Sequence, residues 1–540
     1  ALPISEYLAR AAFSTNIKIR RDCSCALYTA KGDMLAQGTF VPVHLGIMSQ
    51  TLKALLEKHP AETLQEGDAL IHNDPYMYGS HLFDVMVFKP IFHEGKLFAF
   101  TGALAHQLDM GGSPRAFINE TIHEEGLIIP GVFLAKQGVV QEDILDFITA
   151  NVRTKYEVRG DLLSELAANN RGETRLKALA EKYGVETLMA YFESILDYSE
   201  KSMREAIRVV PDCEEEFEDY LESDGLVDML IKVKTHVKIE GSDVYVDFEG
   251  SAPPVAHGNN NPWSLTHSGA YFAIKAVFGN NVPTNAGAYR AIHLIRPTKP
   301  SFLDAPYPHA VGGCTTVPPQ RVVDVIIGAL SKVVPEQCCA CNGQWSGGIY
   351  GGIDPKTNRN FVYNESFGCG LGAKYNDDGA NGHHSHMSNT ANAPTEMIEM
   401  EHPIRVLQYS LVQDSGGAGE YRGGLGLLRE VELLTETNVS IIADRDKIRP
   451  YGLFGGQGGL PNAHYGKFPD GSQHTIAAEK VPAGTITVQR TSGGGGWGDP
   501  AKRDRKLIEW DVLNGYVSIE AAKREYGVTI DPETMKIVED

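Results

Sequence analysis

With 540 residues, 42% hydrophobic and 22% charged, the chain can bury a large core and has the length of about three domains or one elaborate one. A net charge of −20 and a pI near 5.4 count against nucleic acid or an anionic membrane as the main partner. No run approaches the ~18–20 unbroken apolar residues of a membrane helix; the start, ALPISEYLAR, lacks the features of a secretory signal, so a cytoplasmic protein is expected.

The first 58 residues open with a helical pattern, SEYLARAAFSTNIKI, then a strand, CALYTA, and a turn at Lys31-Gly32-Asp33. A second helix, IMSQTLKALLEKH, follows His44-Leu45-Gly46. From 68 to 105 the pattern is strand-like: DALIHND, DVMVFKPIF and KLFAFTGALA, the last two joined by a hairpin turn at His93-Glu94-Gly95-Lys96. From about 140 to 208 apolar residues recur at three- and four-residue intervals, which predicts helices in EDILDFITANV, GDLLSELAANNRGETRLKALAEKYG and VETLMAYFESILDYSEKSMREAIRVV. The acidic run CEEEFEDYLESDG near 213 reads as a solvated edge or connector. MLIKVKTHVKIEGSDVYVDFEGS alternates as a hairpin about Gly241-Ser242. Later come a helix, RVVDVIIGALSKVV, a strand set, LREVELLTETNVSIIADRD, and a helical tail, AKRDRKLIEWDVLNG with SIEAAKREYGV.

The expected class is mixed α/β (α+β): a strand-rich, multi-domain chain with glycine-rich turns and a helical middle segment. Three regions are expected: 1–210, α/β with a helical segment; 211–400, mixed α/β; and 401–540, β-rich with a helical tail. The 56 glycines cluster in doublets, as in SGGIYGG at 346, DSGGAGEYRGGLG at 414, FGGQGG at 454 and SGGGGWGDP at 492. They follow no period, which excludes collagen and repeat arrays and points to tight turns and close backbone approach. Cys23 and Cys25 share a strand face, and Cys338, Cys339 and Cys341 cluster without an answering CxxC pair. Reduced, mostly buried thiols are expected rather than a disulfide framework or a structural zinc site.

The stretch HNDPYMYGSHLFDV, His72 to Val85, crowds two histidines and two aspartates between strands. His81 and Asp84 form HLFD; His106 and Asp109 form HQLD at the exit of the next strand but one; Asp22 follows two arginines in IRRDCSC. Antiparallel neighbours would bring both histidines to one end of a sheet. Each aspartate three residues on is then an acceptor orienting its histidine or a ligand itself. Such a His/Asp set suits zinc, manganese or ferrous iron, and few protein ligands leave positions open for water. The competing reading is a set of hydrogen-bonded strand-end histidines beside an Asn-Asp-Pro turn. GNNNPWSLTHSGAYF at 258 offers Asn260, Asn261 and Trp263 as a candidate substrate loop, although asparagine runs commonly make turns. His383, His384 and His386 in NGHHSHMSNT read as a hydrogen-bonded interface loop before a metal site. No GxxxxGK[ST] or GxSxG motif occurs, so any nucleotide is expected on another chain.

The ordered series IRRDCSCALYTAKGDMLAQG, VPVHLGIM, HNDPYMYGSHLFDV, HQLDMGG, IHEEGLIIPG, GDLLSELAANNRG, GHHSHMSNTANAPTE, DSGGAGEYRGGLGLLRE and GGGWGDPAKRDRKLIEWDVLNGYVS resembles the hydantoinase B/oxoprolinase family along essentially the whole chain. The resemblance implies a hydantoinase A-type partner carrying the ATP site, and a divalent metal here, zinc first, with manganese or iron as alternatives. It implies Asp22, His81 and His106 as ligands, with Asp84, Asp109 and His44 in reserve and Asp109 or Asp84 as proton relay. The implied activity is ATP-dependent opening of a hydantoin, 5-oxoproline or lactam ring after phosphorylation by the partner. The alternatives are a subunit of an ATP-dependent ketone carboxylase using bicarbonate, and a non-catalytic scaffold for the ATP-binding subunit. Cys23 departs from the pattern, since relatives often carry an aromatic residue there.

Overall fold

The computed structural model describes residues 1–38, 41–113 and 117–538. Among them the strands form four sheets, and the architecture is mixed α and β. The first sheet is fully antiparallel and holds β1 (Cys23–Thr29), β2 (Met34–Gln37), β3 (Ala69–His72), β4 (Asp84–His93), β5 (Lys96–His106), β6 (Val132–Lys136) and β7 (Val139–Val140), in the order β2-β1-β5-β4-β3-β6-β7. β4 and β5 are buried on both faces, which is why their sequences read as near-continuous apolar runs rather than alternation. Met86, Phe88, Phe100 and Leu104 join the large core on one side. On the other side Val85 and Val87 pack with Leu145, Ile148, Val158 and Leu162 of the helical middle segment.

That segment comprises the helices Glu142–Ala150, Lys155–Tyr183 and Val185–Arg208. The last two are separated only by Gly184, whose φ of 82° breaks the helix where a side chain would be strained. Asn169 on the long helix donates to the Val87 carbonyl at 3.0 Å, tying helix to sheet.

The acidic run near 213, expected as a solvated edge or a connector, is the edge. It is β8 (Cys213–Ser223), the edge strand of a four-stranded sheet with β9 (Asp228–Glu240), β10 (Asp243–Asp247) and β11 (Ile292–Ile295). Glu214, Glu216 and Glu218 face outward while Asp219 and Leu221 are buried, so alternation within the charge run decides for strand. The hairpin about Gly241-Ser242 forms as expected, with Glu240 opposite Asp243. Helices Trp263–Phe278 and Pro318–Leu330 pack into the same core as the first sheet.

The third sheet joins Arg359–Phe367, Ser346–Asp354, Thr437–Ile442 and Ala478–Val481; the fourth joins Ile404–Leu411, Leu427–Leu433, Ile486–Arg490, Ala463–Lys467 and Gln473–His474. Between them the glycine clusters lie side by side as bare backbone. Gly424 donates to Leu371 at 2.8 Å, Gly494 to Gly424 at 3.0 Å, Gly417 to Gly494 at 2.8 Å, and Gly495 to Cys341 at 2.8 Å. A Cβ on Gly494 would overlap the Leu371 carbonyl and one on Gly424 the Ala380 carbonyl, so no larger residue fits. All eight cysteines are free, and among the described residues no helix is long and apolar enough to cross a membrane.

Candidate metal centre and its cavity

Strand register brings the N-terminal polar residues together. Asp84 pairs directly with His106 across β4 and β5, and the His106 amide donates to the Asp22 carbonyl at 3.0 Å, so three strands end at one level. His81 is presented by the loop before β4. Asn73 fixes that loop: its Nδ2 donates to Leu82 at 2.7 Å and Leu127 at 3.0 Å, and its Oδ1 accepts from Ile129 at 2.6 Å. Asp74 caps the Tyr76 amide at 2.9 Å and starts the turn. The asparagine and first aspartate of HNDPYMYGSHLFDV are therefore architectural, while its second histidine and second aspartate face the cavity.

The Nε2 of His81, Nδ1 of His106 and Oδ1 of Asp84 form a triangle with edges of 3.1, 3.2 and 3.4 Å. Donors held ~2.1 Å from one ion lie about 3.0 Å apart in octahedral and about 3.4 Å apart in tetrahedral geometry. Spacing and donor chemistry both fit a divalent cation, and all three residues are buried. His44 adds Nε2 at 3.6 Å from Asp84 Oδ1 and 3.8 Å from Asp22 Oδ1. Asp22 lines the same cavity but stands outside the triangle, so of the expected ligand trio the two histidines converge directly and Asp84 takes the third corner.

The surrounding contacts orient these groups. His81 Nδ1 lies 3.2 Å from the Gly312 carbonyl, which selects the tautomer with Nδ1–H donating and the Nε2 lone pair free. Ser80 donates to Asp84 Oδ2 at 2.6 Å. The Asn364 amide meets His106 Nε2 at 3.1 Å; with its oxygen turned inward it would accept Nε2–H and free Nδ1 as a ligand. His44 Nδ1 lies 3.1 Å from Ser24 Oγ. Burial opposes charge on His81, but Asp84 outweighs it and raises the imidazole pKa. Burial likewise opposes charge on Asp84, yet His81 and His44 hold its carboxyl well below the usual range. For His44 burial prevails over Asp84 and Asp22, and its pKa falls. Behind Gly312, Glu125 accepts from the Gly312 amide at 2.5 Å through Oε1, while Oε2 has no partner; burial pushes it up to about 8.

The cavity holds about 60 Å³ of water-sized space. Phe83 and Ile349 separate it from an outer chamber of about 380 Å³. Phe83 stacks on His106 with ring centroids 5.4 Å apart and planes 11° from parallel.

Other expected residues fall elsewhere. Asp109 lines the outer chamber, not the inner cavity: Oδ1 accepts from Gly111 at 2.9 Å and Arg153 Nη1 at 2.7 Å, and Oδ2 from the Arg153 amide. It staples a loop to the helical segment. Asn260 is spent on backbone, donating to Val255, His257 and Ala310; through Ala310 it braces the loop that orients His81. Asn261 donates to Thr266 at 3.3 Å, and Trp263 lies under Arg296 at 5.2 Å. None of these three lines the cavity. His386 Nε2 is 3.1 Å from Asp324 Oδ1. Asp324 groups with Asp219 and Cys341, but Arg321 and Arg445 already neutralise that cluster at 2.5–2.6 Å, which makes it an ionic lock between segments. Sequence reasoning missed Arg20, Phe83, Glu125, Trp345 and Asn364. Of these only Arg20 carried a visible signal, a basic residue directly beside Asp22.

An uncharacterized protein of Methanocaldococcus jannaschii is 37% identical over 97% of this chain and 92% of its own length. The caprolactamase subunit beta of Pseudomonas jessenii is 32% identical, over 97% of this chain and 93% of its own. The 5-oxoprolinase 1 of Arabidopsis thaliana is 34% identical over 91% of this chain, but the chain spans only 40% of that protein. The crystal structure of the ATP-dependent caprolactamase from P. jessenii superposes with a TM-score of 0.89 at 29% identity, covering 98% of this chain and 94% of that one. A nucleotide-free acetone carboxylase structure reaches the same TM-score at 18% identity, over 100% of this chain and 79% of that one, a likeness of fold alone. The family model for hydantoinase B/oxoprolinase matches residues 3–500, and the chain belongs to that family.

Proposed function

We propose that the chain is the metal-bearing B-type subunit of an ATP-dependent cyclic amide hydrolase, acting on a ring phosphorylated by a hydantoinase A-type partner. The observation that carries the reading is the triangle of His81, Asp84 and His106 inside a small cavity. Relatives named as a lactamase subunit and an oxoprolinase support the substrate class. The chain spans only 40% of the 5-oxoprolinase it matches, which leaves room in that relative for a second part of the kind the partner would supply.

An amide carbon is a poor electrophile because the nitrogen lone pair delocalises into the carbonyl. Transfer of the ATP γ-phosphoryl group to the amide oxygen, on the partner, gives an O-phosphorylated imidate. Water then adds to its carbon, a proton passes to the ring nitrogen, the C–N bond breaks and the amine departs, leaving an acyl phosphate. A second water releases carboxylate and phosphate. A divalent ion held by His81, Asp84 and His106, zinc first by donor set, would bring the pKa of a bound water towards about 7. Gly312 and Asn364 fix the two imidazoles, and Ser80 leaves only one Asp84 oxygen facing the cavity. His44 Nε2, between Asp22 and Asp84, is placed to hand a proton from the attacking water towards the leaving nitrogen.

The test is metal analysis of the purified chain, then ATP consumption by the complex with its partner. Stoichiometric metal is expected, with turnover on hydantoin, 5-oxoproline or caprolactam. His81→Ala and His106→Ala are expected to lose the metal and at least about 100-fold in turnover while the complex assembles. Intact turnover in both variants would establish the scaffold role instead; bicarbonate-dependent turnover of acetone or acetophenone would establish the carboxylase.

A further inference from the structure

Six arginines are buried among the described residues: Arg20, Arg321, Arg422, Arg429, Arg445 and Arg503. Arg321 pairs with Asp324 and Asp444, Arg422 with Asp511, Arg429 with Glu365, Arg445 with Asp219, and Arg503 with Asp378 and Asp511. Arg20 differs. Its guanidinium donates to Asn16 Oδ1 at 2.5 Å, the Asn364 carbonyl at 2.8 Å and Ser366 Oγ at 2.6 Å, all neutral acceptors. A buried cation without a counter-anion is costly to keep. Arg20 is only 3% exposed and lines the inner cavity.

The nearby carboxylates are already committed. Asp84 and Asp22 face imidazoles, and Glu365 accepts from Arg429, Tyr350 and Tyr363. Trp345 also lines the cavity, and its buried indole N–H has no partner. The hydroxyls of Ser366 and Thr390, 2.8 Å apart, complete a group of donors. Arg20 reaches the metal triangle through single residues: Asn364 bonds both Arg20 and His106, and Asn16 accepts from Arg20 while donating to the His106 carbonyl at 2.8 Å. The cavity's 60 Å³ suits roughly four or five water-sized bodies, comparable with the atoms of one tetrahedral oxyanion.

We infer that Arg20, with the Trp345 indole N–H and the Ser366 and Thr390 hydroxyls, forms an oxyanion site that seats the phosphoryl group of the activated substrate. The source of that group rests on the function proposed above. The site has a chemical purpose there. Expulsion of phosphate straight from the water adduct would only regenerate the amide, whereas holding the phosphoryl group in place while the nitrogen is protonated directs cleavage to the C–N bond. The guanidinium supplies the planar, permanently charged fork that suits phosphoryl oxygens.

The experiment titrates the EDTA-treated chain with inorganic phosphate and, separately, with acetylphosphonate, a stable analogue of an acyl phosphate, by calorimetry. Both are expected to bind, at least about tenfold more weakly to Arg20→Met and with partial recovery in Arg20→Lys. Trp345→Phe, which breaks no existing hydrogen bond, is expected to weaken both severalfold without changing the melting temperature. Equal binding by native chain, Arg20→Met and Trp345→Phe overturns the proposal, as does phosphate binding with acetylphosphonate refused. A chain that binds no metal yet seats both anions through Arg20 would defeat the hydrolase reading and leave the oxyanion site standing.

Discussion

Replacing Asn73 by alanine tests whether one buried amide holds the His81 loop in place. Asn73 is fully buried, and its side chain makes three hydrogen bonds, to the Leu82 and Leu127 carbonyls and from the Ile129 amide. The substitution strands two carbonyls and one N–H. At about 1 kcal/mol net for each bond lost, and up to about 3 kcal/mol for each group left without a partner, a local cost of about 3–5 kcal/mol follows, towards the lower end if water enters. A loss of about 3 kcal/mol multiplies the open population by about 150. Hydrogen–deuterium exchange at 127–131 is therefore expected to quicken by about two orders of magnitude, with weaker metal binding. The isosteric Asn73→Asp adds a second reading. It places an oxygen where Nδ2 met two carbonyls at 2.7 and 3.0 Å, so the folded chain keeps the carboxyl protonated. A folded pKa raised above the ordinary ~3.9 means that stability falls as pH rises through that window, with a limiting slope of about 1.4 kcal/mol per unit. Native exchange rates at 127–131 in the alanine variant, or a deficit in the aspartate variant independent of pH between 4 and 7, would refute the argument.

Glu125, raised by burial to about 8, is protonated in the folded chain and ionised in the unfolded one between roughly pH 4.5 and 8. Its contribution is therefore complete below that window and lost as pH rises through it. Glu125→Gln, which keeps the acceptor for Gly312, is expected to melt above the native chain at pH 8–9 and to converge with it near pH 5. Arg445→Met leaves Asp219 and Asp324 short of a partner inside the protein, a loss of about 3–5 kcal/mol that urea titration should show as an earlier transition. Arg445→Lys should recover little, since an ammonium cannot span both Asp219 oxygens, which the native fork meets through two nitrogens.

The centre was legible where short spacing met simple topology. His81 and Asp84 are three apart, and a hairpin of two apolar strands puts Asp84 opposite His106 without further information. The pairing of Asp109 with Arg153 was not legible, because the arginine lies 44 residues on, beyond any local pattern. Asn260 carries the polarity of a binding loop but spends it on backbone, and Asn261 turns its amide to the Thr266 hydroxyl, a distinction only burial reveals. Arg20 shows the opposite limit. Its neighbours Asn16, Asn364 and Ser366 are ordinary polar residues, and what marks it out is the lack of an anion at ion-pair distance among the described residues. The run near 213 read as a solvated edge or a connector, and the choice stayed open because composition outweighed alternation in the reading.

The laminated glycine backbone has a consequence for folding. Gly494 and Gly495 complete bonds to Gly424 and Cys341, which lie 70 and 154 residues before them in the sequence. Until these segments meet, the carbonyls have only solvent, and the glycines themselves bring no side chains to draw the layers together. Closing contacts so distant along the chain costs entropy before it returns enthalpy. Assembly of this layer therefore waits until segments far apart in the sequence have met.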